Sequence, residues 1–254
     1  MAPHKARLRF AKHGDLRLVG HQDLMRCLER MLRRASIPMA YSQGFNPRPR
    51  MAFALALGLG IEGRREVVEL ELSAPMEASE LLARLASESP PGLDWLEAEE
   101  VGPGRAARVE SASYLVGIPA GRREAARSAI ASLLESERLV HRRRKADRTV
   151  EFDLRPFVLG ADLGADGLLR FRLKMAQDGS ARPEDVLDVL GLGDLTGEGA
   201  ILVRADLELA PTITPQSGPP GRPRPDPPPP DDDPGPSGEV GEGQGDPLTD
   251  QCPP

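Results

Sequence analysis

The sequence predicts an α+β protein made of two tandem βαββαβ units with antiparallel sheets, followed by a disordered acidic tail. Three observations support this fold class. Period-two alternation and helical periodicity follow one another in the order β-α-β-β-α-β over residues 1–107. The same order returns, with one extra hairpin, over residues 108–211. The composition then changes at residue 212 to Pro, Gly and Asp, which marks 212–254 as the tail.

The first unit opens with a half-buried strand over residues 6–10 (ARLRF), where apolar and basic residues alternate. A helix is predicted over residues 21–35, with Gly20 at the N-cap and Asp23 in the first turn. Its core side is predicted to carry Leu24, Leu28, Met31, Leu32 and Ala35, and its opposite side Arg26, Arg30, Arg33 and Arg34. The remaining elements are an extended stretch (41–57), a glycine-rich turn (58–63), a strand (66–72), a helix (78–87) and a strand (93–101). This is the order of a ferredoxin-like unit.

The second unit repeats that order after a junction near residues 102–108 (GPGRAAR). Its predicted elements are a strand (113–118), a helix (123–135), strands at 139–144 and 149–154, a strand (168–175), a helix (182–190) and a last strand (200–209). Pro183 falls in the first turn of the last helix, where its missing N–H donor costs nothing. We therefore expect two ferredoxin-like units in tandem that share a pattern but little residue identity.

The segment 41–53 (YSQGFNPRPRMAF) carries the strongest local constraints on the backbone. Gly44 can adopt positive φ without steric cost, so a sharp turn is allowed there. Pro47 and Pro49 push the residues that precede them toward extended geometry. Residues 46–50 are therefore predicted to be stiff, extended and not helical.

Two arginines and two aromatic residues share this segment. Arg48 and Arg50 follow closely after Tyr41 and Phe45. A guanidinium group can grip a phosphate, and an aromatic ring can stack on a base, so the combination suits a nucleic acid. The alternative is a structural turn whose rings are buried and whose arginines are solvated.

The charge is strongly polarised within the first unit. Residues 1–50 hold 11 basic and 3 acidic side chains, and residues 51–100 hold 3 basic and 11 acidic ones. If the basic side chains meet in space, they form a basic face of the kind that binds nucleic acid. The alternative is an ordinary solvated surface neutralised by the nearby glutamates.

The tail accounts for the net negative charge of the chain. Residues 212–254 hold 8 acidic and 2 basic side chains, whereas residues 1–211 hold 31 of each. The acidic balance therefore says nothing about the partner of the folded part. The tail has almost no large apolar residues to offset the entropy of ordering, so we expect it to be disordered.

The cysteine content argues against a disulfide or a cysteine-based metal site, and we expect no cofactor. Cys27 falls in a predicted helix and Cys252 falls in the tail, far apart in the sequence. This usage fits a reducing cytoplasm. The sequence shows no signal peptide and no apolar run long enough to span a membrane.

Three stretches resemble a known bacterial family. Residues 8–63, which begin LRFAKHGDLRLVGHQDL, together with 153–158 (DLRPFV) and 179–187 (GSARPEDVL), are similar to the radical SAM-linked domain of unknown function. The likeness spans about residues 5–210 and excludes the tail. In that family the domain stands beside a radical SAM protein or is fused to one. The resemblance implies a cytoplasmic protein associated with radical SAM chemistry, with RNA as the expected substrate of that chemistry.

This chain departs from the family pattern at two positions. It has Gly20 where the family usually has Ser, and Arg48 where the family often has His. The resemblance therefore carries no hydroxyl role and no histidine role to these positions. A radical SAM enzyme holds its iron–sulfur cluster with three cysteines, and this chain has two, Cys27 and Cys252, so it is not itself that enzyme.

Three hypotheses for function follow. The first is a non-catalytic accessory module that binds tRNA or rRNA for a radical SAM protein. The second is a metal-independent endoribonuclease that uses His21 with nearby arginines and Tyr41, since paired ferredoxin-like units also resemble the repeat-processing ribonucleases of CRISPR systems in fold. The third is a protein–protein adaptor in which Trp95 and the acidic strands bind the radical SAM protein.

The candidate nucleic-acid-binding residues are Arg26, Arg30, Arg33, Tyr41, Phe45, Arg48, Arg50, Arg143 and Arg144. His21 is the one candidate for catalysis, and the alternative for this residue is a structural role in capping and packing. For the basic stretch 141–148 the alternative to nucleic-acid binding is a solvated hairpin tip. A basic face that converges on His21 would favour the first two hypotheses, whereas arginines that each pair with a glutamate would favour the adaptor.

Overall fold

The structure is a computed structural model, and it describes residues 4–102, 106–144, 148–176 and 179–211. These residues fall in one compact unit. The predicted tail, 212–254, lies outside the described residues. None of the helices in the described part of the chain is long and apolar enough to cross a membrane.

The first half contributes four strands and two helices in the predicted order. They are β1 (His4–Lys12), α1 (His21–Arg34), β2 (Met51–Phe53), β3 (Glu62–Leu72), α2 (Ala78–Glu88) and β4 (Leu93–Val101). β1 pairs antiparallel with both β3 and β4, and β2 pairs antiparallel with β3. The strands of this half therefore lie in the order β4-β1-β3-β2.

The second half contributes the remaining elements. They are β5 (Val109–Gly117), α3 (Arg123–Glu135), β6 (Val140–Arg144), β7 (Thr149–Asp153), β8 (Val158–Leu163), β9 (Leu168–Ala176), β10 (Gly179–Ser180), α4 (Pro183–Val189) and β11 (Val203–Leu209). β5 pairs antiparallel with β9 and β11, and β8 pairs antiparallel with β9. This half therefore repeats the order of the first half, as β11-β5-β9-β8, with β10 added beside β9.

The two halves share one sheet. β11 pairs in parallel with β3, where Val203 lies opposite Glu62 and Arg204 lies opposite Gly63. The result is a mostly antiparallel sheet of nine described strands. The sequence predicts antiparallel sheets in two units, and the structure joins the strands of both halves in one sheet, because β3 covers the edge of β11. The division of the chain into two units, 1–107 and 108–211, stays a prediction.

The hydrophobic cores lie between this sheet and the helices. One cluster is built from the first half, around Leu8, Phe10, Leu28 and Leu70. The other belongs mainly to the second half, but it also includes Leu57, Ile61 and Val67 from the first. Packing therefore joins the halves in addition to strand pairing.

The helical pattern of α1 was predicted well. All five residues of its predicted core side are buried, and Gly20 is the N-cap with no side-chain hydrogen bond. A short 3-10 turn over Gly14–Leu18 was not predicted. The helix ends at Arg34, and Ser36, two residues later, has φ +54°.

One strand of the second half, β8, was not predicted from the sequence. The prediction placed strands at 139–144 and 149–154 and none at 158–163. In the structure the segments 139–144 and 149–154 form β6 and β7, which pair with each other in a separate two-stranded sheet. The strand that pairs with β9 in the main sheet is β8. All these segments have short period-two patterns, and Gly160 interrupts the pattern of β8 at a register shift. The predicted extra hairpin is therefore the β6–β7 pair, and its tip, 145–147, lies outside the described residues.

Candidate functional site

Residues 41–50 form a closed loop, called here the aromatic loop. Tyr41 and Pro49 face each other as an isolated antiparallel bridge. The Ser42 N–H donates to the Arg48 carbonyl at 2.9 Å, and the Arg48 N–H donates to the Ser42 hydroxyl at 3.0 Å. The Arg50 N–H donates to the Ala40 carbonyl at 2.8 Å. These bonds hold the base of the loop shut, so the tip is presented from a fixed base.

The tip of the aromatic loop exposes its phenylalanine completely. Gly44 has φ +132°, which confirms the predicted turn with positive φ. Phe45, the next residue, has a relative exposure of 105%, and Tyr41 has one of 43%. The alternative of a turn with buried rings is therefore excluded for Phe45. The Phe45 ring is therefore accessible to a binding partner.

The two arginines of the aromatic loop differ in their surroundings. The Arg50 guanidinium pairs with Glu71 at 2.9 Å, and the Arg50 carbonyl accepts the Glu71 backbone N–H at 2.9 Å. Arg50 therefore attaches the loop to β3. The exposed side chain of Arg48 has no ion pair among the described residues. Arg48 is thus the loop arginine that is available to a ligand.

Helix α1 places its predicted arginines on its exposed side. Arg26 pairs with Asp23 at 3.1 Å, and no ion pair of Arg30 or Arg33 occurs within the described ranges. His21 is half-buried at the start of the helix.

The His21 ring packs edge-on against Phe53, with 5.0 Å between the ring centroids. No hydrogen bond to the His21 ring occurs in the part of the chain that the structure describes. The surroundings of His21 therefore match the packing role better than the catalytic one.

Five of the eleven basic side chains of residues 1–50 form ion pairs with acidic residues of 51–100 in the described part of the chain. Arg7 bonds to Glu69 at 3.0 Å and to Glu99 at 3.2 Å, and Lys5 bonds to Glu69 at 2.6 Å. Further ion pairs join Arg9 to Glu97, Arg34 to Glu88 and Arg50 to Glu71. Arginines paired with glutamates are the arrangement that we expected of an adaptor.

The basic hairpin β6–β7 presents its two candidate arginines differently. Arg143 forms an ion pair with the buried Asp185, and its guanidinium lies 4.7 Å from the centroid of the Phe152 ring. His141 also bonds to Asp185, at 3.1 Å. Arg144 is exposed on the other side of the hairpin. The nucleic-acid role of both stays a prediction, but Asp185 already engages Arg143.

Asp185 was missed as an anchor. It is 3% exposed, and its carboxylate accepts the Arg182 backbone N–H at 2.6 Å as the third residue of helix α4. That capping interaction is visible in the sequence as an acid three residues after the N-cap. The contact with the β6–β7 hairpin is not visible, because it joins residues more than 40 positions apart.

A second buried charge cluster lies where the two halves meet. Lys12, Glu66 and Arg204 are each at most 3% exposed, and Arg204 pairs with Glu66. The Lys12 ammonium donates to the Val19 carbonyl at 2.8 Å. Burial lowers the pKa of Lys12, Glu66 opposes that shift and Arg204 adds to it. Each cation is satisfied by protein groups, so this cluster is a structural joint.

Strand β4, helix α2, the first residues of β1 (His4, Lys5 and Ala6) and Leu72 of β3 line a groove of about 360 Å³. Pro75, Met76, Leu81 and Ala98 supply apolar parts of its lining, and Glu77, Glu80, Glu99 and Glu100 supply carboxylates.

Trp95, the predicted adaptor contact on β4, is half-buried. Its indole N–H donates to the Ser89 hydroxyl at 3.0 Å, and its ring centroid lies 5.6 Å from that of Phe10.

No group of three or more metal-ligating residues occurs in the described part of the chain.

The comparisons with known proteins identify a family. A family model described as "Uncharacterized protein conserved in bacteria (DUF2344)" matches residues 5–183. No curated protein matches the chain. A solved structure titled "Crystal Structure of an Unknown Protein from Galdieria sulphuraria" shares 15% identity, covers 82% of this chain and 99% of its own, and has a TM-score of 0.26.

That structural likeness is too weak to support a conclusion about fold. The family description does not mention radical SAM chemistry, so that association stays a prediction. The matched residues cover most of the described chain, from the first residues of β1 to the start of α4. The chain belongs to the DUF2344 family of uncharacterized proteins conserved in bacteria.

Proposed function

We propose that the chain is a non-catalytic accessory module of the cytoplasm that docks a partner protein through its aromatic loop. The partner is the radical SAM protein that the sequence resemblance implies. In this proposal the scaffold consists of two ferredoxin-like units joined edge to edge. The strand orders β4-β1-β3-β2 and β11-β5-β9-β8 support that interpretation, since each is the order of a ferredoxin-like sheet.

The complete exposure of Phe45 carries the proposal. A large ring on a loop with a hydrogen-bonded base loses little conformational entropy when it enters a pocket. Such aromatic anchors dominate the free energy of many protein interfaces. The pairing of Arg7 and Arg9 with carboxylates supports a protein partner over a polyanion, because the positive charges of these two arginines are already engaged.

The test is the affinity of the Phe45→Ala variant for the radical SAM protein of the same organism, measured by calorimetry. We expect a loss of roughly 2 kcal/mol or more, the cost of removing a hot-spot residue. Leu59→Ala is the matched control, since Leu59 is 69% exposed on a different turn. Equal affinity of the Phe45 variant and the wild type would overturn the proposal.

RNA is the second candidate ligand of the aromatic loop. The observation that favours it is Arg48, whose exposed guanidinium has no ion pair in the described residues and lies three positions after Phe45. If RNA binds, Phe45→Ala removes roughly 1–3 kcal/mol of stacking. Arg48→Ala then lowers the salt slope of binding by about one phosphate contact. RNA binding that both changes leave intact would exclude this site.

The endoribonuclease alternative has less support. A general acid or base must lie within hydrogen-bond reach of the proton that it transfers, and a second group normally orients it. The His21 ring instead contacts Phe53, and the described residues offer it no such partner. Cleavage of RNA by the purified chain that is lost in His21→Ala would restore this alternative.

A further inference from the structure

Strand β4 forms an end of the main sheet. It pairs with β1 along one edge over all of its length, and no described strand pairs with its other edge. The described residues also show no backbone hydrogen bond from residues 94–101 to any segment other than β1. An edge of this length offers a row of backbone donors and acceptors to another chain.

The strand that already pairs with β4, β1, indicates which kind of sequence can pair with this strand. β1 alternates basic and apolar residues from Lys5 to Phe10. Its arginines meet the carboxylates of β4, where Arg7 lies 3.2 Å from Glu99 and Arg9 lies 3.9 Å from Glu97. Its apolar residues Ala6, Leu8 and Phe10 are buried in the core on the other side of the sheet.

The groove beside β4 lies on the same side of the sheet as that core. Leu81 of α2 and Ala98 of β4 belong to the first core cluster or pack against it, and both line the groove. Glu100 is 77% exposed at this groove, where its contact is His4 at 3.5 Å. The volume of about 360 Å³ is large enough for one or two apolar side chains.

We propose that β4 binds an extended segment of the partner protein as an added strand, with basic and apolar residues alternating along it. The basic side chains of the segment meet Glu97 and Glu99, which already pair with Arg65 and Arg7 but are still 56% and 62% exposed. Its apolar side chains enter the groove between β4 and α2. Backbone hydrogen bonds supply affinity and the alternating side chains supply specificity, as in other strand additions. This inference rests on the proposed function in one respect, that the ligand of the chain is a protein.

Charge excludes a second copy of this chain as the occupant. If two β4 strands paired with each other, the carboxylates of Glu97, Glu99 and Glu100 would lie against those of the other copy. Like charges directly across a strand pair are destabilising. A basic segment has the opposite and complementary charge.

The test uses a labelled peptide with the sequence of residues 5–10, KARLRF, and fluorescence anisotropy on the full chain. We expect saturable binding, with no binding of the charge-reversed peptide EAELEF. A peptide N-methylated at alternate backbone nitrogens keeps every charge but cannot complete the hydrogen bonds. We expect it to bind at least about tenfold more weakly, a loss of roughly one to two hydrogen bonds.

Charge reversal on the protein provides the matched comparison. Glu100→Lys places a like charge at the groove, and we expect about tenfold weaker peptide binding. Glu124→Lys is the control, because Glu124 is 88% exposed on α3 in the other half of the chain. Hydrogen exchange should show slower exchange of backbone amides within residues 94–101 when the peptide is bound.

Three results would overturn the inference. They are equal binding of the N-methylated and the unmodified peptide, unchanged hydrogen exchange in residues 94–101, and dimer formation by the chain that the KARLRF peptide does not inhibit.

The failure of this inference and the failure of the proposed function give different results. If the radical SAM protein binds through Phe45 but Glu100→Lys and the peptide have no effect, the strand-addition inference fails alone. If the peptide binds at β4 but Phe45→Ala leaves partner binding unchanged, the proposed function of the loop fails alone.

Discussion

Arg204 and Glu66 form a buried ion pair that connects the last strand of the chain to the first half of the sheet. Their residues are 3% and 1% exposed. Arg204 also donates to the carbonyl oxygens of Leu55 at 3.1 Å and of Ala56 at 3.0 Å. One side chain of β11 therefore holds both β3 and the segment that follows β2.

The first prediction follows from this pair. Arg204→Met should lower the free energy of unfolding by roughly 3–5 kcal/mol, because it leaves the Glu66 carboxylate buried without its partner. Urea titration followed by circular dichroism measures the loss. The double variant Glu66→Gln with Arg204→Met should be more stable than Arg204→Met alone, since the uncompensated charge is gone.

An exposed ion pair is the control for this measurement. Arg26→Met breaks the pair with Asp23, whose side chains are both 67% exposed. We expect a change of less than about 1 kcal/mol, since surface pairs contribute little. A loss from Arg204→Met as small as that of Arg26→Met would show that the buried pair does not join the halves.

The second prediction concerns the core side of α1. Leu28 is 1% exposed, and Leu28→Ala should cost roughly 2–5 kcal/mol through lost burial and the cavity left behind. Denaturant titration gives the value. Arg30→Ala, on the exposed side of the same helix, should change stability by less than about 0.5 kcal/mol. Equal effects of the two variants would contradict the assignment of the helix sides.

The third prediction is a pH dependence that involves Glu69. Burial alone would raise the pKa of the Glu69 carboxyl, but bonds from Lys5, the Ala107 N–H and Arg7 outweigh it and lower that pKa below 4.5. A carboxyl whose folded pKa is depressed stabilises the fold above its unfolded pKa. Its contribution is lost as the pH falls from about 4.5 through the lower, folded pKa.

Glu69→Gln tests this dependence. At pH 7 the variant should be less stable than the wild type by about 1–3 kcal/mol, the cost of lost hydrogen bonds to charged groups. The difference should shrink as the pH is lowered below 4.5, where the wild type binds the proton that the variant cannot. Glu77→Gln, at an exposed site, is the control. A difference that stays constant down to pH 2 would contradict the prediction.

The fourth prediction concerns the attachment of the β6–β7 hairpin. Asp185→Asn removes the buried negative charge to which Arg143 and His141 both bond, so it weakens the attachment of the hairpin to α4. We expect hydrogen exchange in residues 140–153 to accelerate by about tenfold or more, since a broken buried pair costs a few kcal/mol. Exchange in β1 and β3 should change much less. Uniform acceleration throughout the sheet would mean that the hairpin opens with the whole domain.

Local patterns in the sequence predicted most of the helices and strands. The bounds of α3 and β4 agree with the prediction, because each element has a clear interruption of its pattern at both ends. The weak point was β8, where Gly160 and a register shift break the alternation. Competition among three short alternating segments is decided by which of them can pair with β9, and that depends on contacts distant in sequence.

Only part of the candidate site was predictable, because some of its contacts also depend on segments that are distant in the sequence. Gly44 and the two prolines of the aromatic loop act on the backbone next to them, so the turn there was predictable. The exposure of Phe45 was an open alternative until the fold showed which side of the loop faces water. The ion pairs of Arg50 and Arg143 were not predictable, because Glu71 and Asp185 come from other elements.

The sequence by itself determined the α+β class, the helical side that packs, and the place of the sharp turn at Gly44. These properties depend on side-chain period and on backbone sterics within a few residues. Tertiary structure alone decided that both halves share one sheet, that Glu66 and Arg204 meet, and that one edge of β4 is left without a described strand. Those outcomes depend on which distant segments pair and which charges must be matched once water is excluded, and neither can be derived from local periodicity.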